Sequence, residues 1–79
     1  MNDTEKMLLK CINQVLEGDS RSPLLEISGE LNLQTDIGLD SLDLAELTVR
    51  IDAQTGIDVF KNRIVSTISE IKEEINIEK

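Results

Sequence analysis

Apolar residues recur at helical spacing in three stretches of the chain. In the first, Leu8, Cys11, Ile12 and Val15 fall at i, i+3, i+4 and i+7. This stripe predicts a packing helix from about 3 to 17, capped by Asn2 or Asp3 and stopped by Gly18, with Lys6 and Lys10 on its solvated edge. The second stretch, 41–55, is free of proline and glycine and ends at Gly56. At about 100° per residue, Leu44, Leu47, Thr48, Ile51 and Thr55 share one arc, the expected core face. Leu42, Ala45 and Val49 form another apolar stripe centred roughly 150° away. A helix on the outside of a small bundle buries one such face, not two. The third stretch, about 67–77, begins at the capping-box pattern Thr67-Ile68-Ser69-Glu70 and presents Ile68, Ile71 and Ile75 to the core. Between Gly18 and Leu39 there is no sustained periodicity. The expectation there is a long connection with one helical turn at Ser22-Pro23-Leu24-Leu25-Glu26, held over the core by Leu24, Ile27, Leu31 and Leu33.

The residues at the start of the second helix carry the chemistry. Asp40 stands at the N-cap position and Ser41 in the first turn, where backbone N–H groups lack partners within the helix. Those donors and the positive end of the helix dipole suit a phosphate attached to the Ser41 hydroxyl. Taken alone, Ser beside Asp at a helix start is ordinary capping chemistry. The second apolar stripe adds to the picture. Leu42 and Val49 left in water each forgo roughly 1.5–3 kcal/mol of burial, so the stripe reads as a docking surface rimmed by Asp43, Glu46 and Asp52.

The run Asp36-Ile37-Gly38-Leu39-Asp40-Ser41-Leu42-Asp43-Leu44-Ala45-Glu46-Leu47 resembles the attachment site of acyl carrier proteins, with specific likeness from about Leu31 to Ile75. The resemblance implies an all-α fold, a small antiparallel bundle of three main helices plus a short fourth at about 60–65. It implies a 4′-phosphopantetheine arm on Ser41, installed by a phosphopantetheinyl transferase that Asp40 helps to orient. It also implies that partner enzymes with basic docking surfaces read Leu42, Ala45, Glu46 and Val49. The protein would then be a non-catalytic carrier of acyl thioesters for fatty-acid, polyketide or related biosynthesis. After Gly56-Ile57-Asp58-Val59-Phe60 the family usually continues with proline and an acidic run. This chain has Lys61-Asn62-Arg63 instead and is about two residues shorter, which suggests a specialised carrier with a solvated basic turn.

Composition narrows the alternatives. The chain has 79 residues, enough for one domain, and a formal net charge of −8 that repels a phosphate backbone, so nucleic acid is not an expected partner. Phe60 is the single aromatic residue and removes a base-stacking platform. Without histidine, and with Cys11 alone on an apolar face, neither a zinc site nor a Ser-His or Cys-His nucleophile is expected. The polar, acidic beginning and the lack of a long apolar run point to a soluble cytoplasmic protein with no membrane segment, and a monomer is expected. Two other functions remain open: a stand-alone peptidyl or aminoacyl carrier, and an unmodified carrier-like adaptor binding a basic partner. Asp36, Asp40 and Asp43 lack the glycine and spacing of a calcium loop, so only weak surface binding of cations is expected.

Overall fold

The computed structural model of the chain describes residues 2–78. Three helices, α1 (Asp3–Gly18), α2 (Ser41–Thr55) and α3 (Ile68–Glu78), make an all-helical bundle. The end of α1 lies at the start of α2, where the carboxyl of Asp19 stands beside that of Asp43. Asp3 and Met7 at the other end of α1 line a cleft with Thr55 and with Ile75 of α3. Both α2 and α3 therefore run antiparallel to α1.

The stripes predict what is buried. Leu8, Cys11, Ile12 and Val15 of α1, Leu47 and Ile51 of α2, and Ile68, Ile71 and Ile75 of α3 form one core. Thr48 and Thr55 belong to the core side of α2 because each hydroxyl donates to the carbonyl four residues back, at 2.8 Å, and so enters half-buried surroundings with its polarity satisfied. Gly56 closes α2 in the left-handed conformation, φ 74°, with its N–H on the Asp52 carbonyl. α1 runs through Gly18 and ends at Asp19, one residue beyond the expected stop.

Two expected helical pieces are absent among the described residues. The segment 22–26 forms no helical turn. Asn13 takes both backbone groups of Leu24, accepting its N–H at 2.8 Å and donating to its carbonyl at 3.0 Å, which lays the chain along α1 instead. The expected anchors nonetheless hold, with Ile27 and Leu33 buried and Leu24 and Leu31 packed against the core. Likewise 60–65 makes a turn and a bend but no short fourth helix. Asp58 accepts the Phe60 N–H and Lys61 bonds back to the Asp58 carbonyl, after which Arg63 is drawn out of any helical path by the acids of α3. Its guanidinium reaches Glu73 at 2.9 Å, Glu74 at 3.2 Å and Glu70 at 3.6 Å. Arg63, itself exposed, is thus the counter-charge of a buried Glu74, and Lys61 beside it is exposed as well, so the turn is solvated as expected.

All three helices open with a capping box: Asn2 with Glu5, Asp40 with Asp43, and Thr67 with Glu70. The closing acids all titrate below their ordinary range. Glu5 is lowered chiefly by the Asn2 N–H, Asp43 by a hydrogen bond from the Asp19 carboxyl and then by the Asp40 N–H, and Glu70 by the Ser66 N–H. A carboxyl depressed on folding stabilises the fold above its unfolded pKa, and that contribution is lost as pH falls through the folded value. Asp19 is shifted upward by sharing its proton with Asp43, and its contribution has the opposite sign: present at low pH and lost as pH rises through the raised value. The helix starts should therefore give way below the ordinary carboxylate range. Urea unfolding at stepped pH checks this. Glu70→Gln should show a flatter acid limb than the wild type at the same pH, and an identical limb would place the acid sensitivity elsewhere.

Candidate functional site

The long connection is organised to deliver the start of α2. Asn32 accepts from the N–H groups of Gln34 and Thr35, both at 2.9 Å, and Asp36 accepts from the Asn32 N–H at 2.8 Å. Ile37 and Leu39 are buried, and the Leu39 N–H bonds to the Leu33 carbonyl at 2.9 Å. Gly38 between them turns the chain with φ 84°, a conformation that side chains with a Cβ rarely adopt. The same loop is tied to α3 through an antiparallel bridge between Asn32 and Thr67 and a 3.0 Å bond from the Ser69 N–H to the Gly29 carbonyl.

Asp40 then caps α2 with Oδ1 on the Asp43 N–H at 2.9 Å, and Asp43 Oδ2 returns to the Asp40 N–H at 3.1 Å. The N-cap should be worth about 1 kcal/mol. Asp40→Ala is expected to lower unfolding stability by that amount, with chemical denaturation as the check, and a loss below a few tenths would mean that the Asp43 half of the box suffices alone.

Ser41 is the first residue of α2 and is exposed. Its hydroxyl has no hydrogen bond among the described residues, and neither do the backbone N–H groups of Ser41 and Leu42. A phosphodiester on this oxygen fits that arrangement: its charge would lie at two unused donors and the positive end of the helix. Beside Ser41 opens a groove of about 440 Å³ lined by Leu44, Ala45, Thr48, Asp58, Phe60 and Ile64.

Leu42 is 81% exposed and Val49 68%, and Ala45 lies exposed between them, so the second stripe is a surface feature. Glu46 and Asp52 are exposed on either side, with Glu46 held at 2.8 Å by Arg50. Asp43 does not join this rim. It is only 6% exposed, because at about 100° around the helix from Leu42 it lies closer to Leu47 and its carboxylate folds back to close the capping box. The acidic border of the strip is therefore Glu46 and Asp52.

Three contributors escaped the sequence reading. Phe60 and Ile64 complete the groove from an irregular segment whose side-chain directions carry no periodic signal, and Ile64 is 83% exposed. Asp19 reaches the site only because the ends of α1 and α2 meet. Among the described residues no helix is long and apolar enough to cross a membrane.

A family model described as a phosphopantetheine attachment site matches residues 8–75. The chain is also similar to an acyl carrier protein of Saccharopolyspora erythraea, 31% identical over 70 residues that cover 86% of this chain and 74% of the relative. No solved structure gives a significant match. A match across all three helices, joined to a bundle in which an acidic cap and a free serine hydroxyl open α2, places the chain in the acyl carrier protein family, whose members bear a covalent 4′-phosphopantetheine.

Proposed function

We propose that Ser41 is the residue that takes the 4′-phosphopantetheine and that the protein presents acyl groups on that arm to enzymes of fatty-acid, polyketide or related biosynthesis. The observation that carries this reading is the exposed, unengaged Ser41 hydroxyl at the N-terminus of α2 and at the mouth of an apolar groove. In the loading reaction Ser41 Oγ attacks the phosphorus next to the pantetheine in coenzyme A. The bond from that phosphorus to the bridging oxygen breaks, 3′-phosphoadenosine 5′-phosphate leaves, and the hydroxyl proton passes to a base of the transferase. When attached, the arm supplies a terminal thiol that holds acyl groups as thioesters.

The chain's own residues bind and orient. Leu42, Ala45 and Val49 offer an apolar contact, and Glu46 and Asp52 give it an acidic border that speeds encounter with basic partner surfaces without demanding tight binding. Asp40 holds the helix start in register beneath the hydroxyl. Leu44, Phe60 and Ile64 give the groove mostly apolar walls that suit an apolar acyl cargo, with Asp58 and Thr48 as its polar lining. The test is intact mass after incubation with coenzyme A and a broad-specificity phosphopantetheinyl transferase. One added arm per chain, mapped to the Ser41 peptide, is the expected result. No added mass on the folded wild type overturns the proposal and leaves an unmodified adaptor as the better reading.

A further inference from the structure

We infer that Arg21 is a positioning residue for the loading of Ser41: its guanidinium grips the backbone of Ile37 and Gly38 in the turn that leads into α2 and helps set where the hydroxyl stands. This inference rests on Ser41 being the attachment residue. Arg21 lies in the connection after α1, and its own N–H is fixed to the Leu16 carbonyl at 2.9 Å. From there Nη1 donates to the Gly38 carbonyl at 2.9 Å and Nη2 donates to the Ile37 carbonyl. One planar group thus holds two successive carbonyls, a fork that lysine cannot reproduce. The contact is close on both sides. A Cβ built on Gly38 would stand 3.0 Å from Arg21 Nη2.

The consequence lies in what each part of the connection is anchored to. Leu39 is held from below by burial and by its bond to Leu33, and Asp40 is held by the capping box. Gly38 is exposed, sits at a positive φ, and receives from Arg21 its tie to the far end of α1. Without that tie the turn loses its link to α1, and the entry to α2 rests on Leu39 and the capping box alone. The Gly38 carbonyl is exposed, so water replaces the guanidinium there at little loss, whereas the Ile37 carbonyl is part-buried and its share of the grip adds to the stability of the turn. Placement of the attacking oxygen is far more sensitive, because ångström-scale misplacement of a reacting atom is enough to slow a transfer step about a hundredfold.

The experiment is steady-state loading of the full chain by a phosphopantetheinyl transferase with coenzyme A, the carrier being the varied substrate, for wild type, Arg21→Gln, Arg21→Lys and Gly38→Ala. Docking uses the outer face of α2, so KM for the carrier should stay within about twofold, while kcat falls about tenfold in Arg21→Gln. Arg21→Lys should recover part of that loss, and Gly38→Ala, which strains the positive-φ turn as well as crowding the guanidinium, should lose at least as much. Circular dichroism and thermal unfolding run beside the kinetics. Should Arg21→Gln not fold, Arg21→Lys carries the comparison. Wild-type kcat in a folded Arg21 variant, or a loss confined to KM, overturns the inference and leaves Ser41 as attachment residue untouched. A wild type that gains no arm removes both proposals together.

Discussion

Ser41→Ala is expected to gain no mass under conditions that load the wild type to completion, and to fold as the wild type does. The two halves of that expectation rest on different properties of one position. Loading requires an oxygen nucleophile, and alanine has none, so the loss is total. The fold makes no use of the hydroxyl, which has no hydrogen bond among the described residues and stands outside the core. An exposed substitution of this kind shifts stability by no more than about 0.5 kcal/mol. Intact mass and urea unfolding of the same sample read both quantities. Mass gained by Ser41→Ala would move the attachment to another hydroxyl, and a large stability loss would mean that Ser41 supports α2.

The second large effect separates the two faces of α2. Leu47 is completely buried, and Leu47→Ala removes its side chain from the centre of the bundle. Such truncations destabilise by about 2–5 kcal/mol. Total stability for a chain this long is only about 4–12 kcal/mol, so the variant should show a much lowered unfolding midpoint and a measurable unfolded fraction at moderate temperature. Val49→Ala, two residues along the same helix, should change stability by no more than about 0.5 kcal/mol, because Val49 is already 68% exposed. If its apolar surface serves docking, Val49→Ala raises the concentration at which a transferase is half-saturated while Leu47→Ala acts through unfolding. Equal stability losses in the two variants would show that the outward strip is packed in solution.

These contrasts indicate how much of the molecule was legible along the chain. The bounds of α2, Asp40 at its cap and Gly56 at its end follow from local rules, since a cap bonds to residues three positions away and a left-handed terminator suits glycine. The buried isoleucines of α3 and the stripe of α1 are equally local, as periodicity states which side of a helix is apolar. The irregular stretches were a different matter. Pro23 after Ser22 suggested a helical turn, but Asn13, eleven residues before Leu24, competes for the same backbone groups and wins. The short fourth helix implied by family likeness gave way to Arg63, whose three acidic partners sit on α3. In both places a side chain distant in sequence offered better hydrogen bonds than the neighbours could.

Asp43 shows the same division within a single helix. Its charge suggested the docking rim, whereas its position in the capping box and beside Asp19 withdrew it from solvent. The sequence by itself determined three amphipathic helices, the acidic cap and the serine that follows it, because each is written in contacts between residues no more than a turn or two apart. Only the tertiary structure decided that Phe60 and Ile64 would wall a groove beside Ser41 and that Arg63 would neutralise Glu74. It also decided that Arg21 would reach across the connection to the backbone ahead of the serine. Those encounters depend on how the chain closes on itself, and loop closure brings together residues whose spacing along the sequence carries no periodic mark.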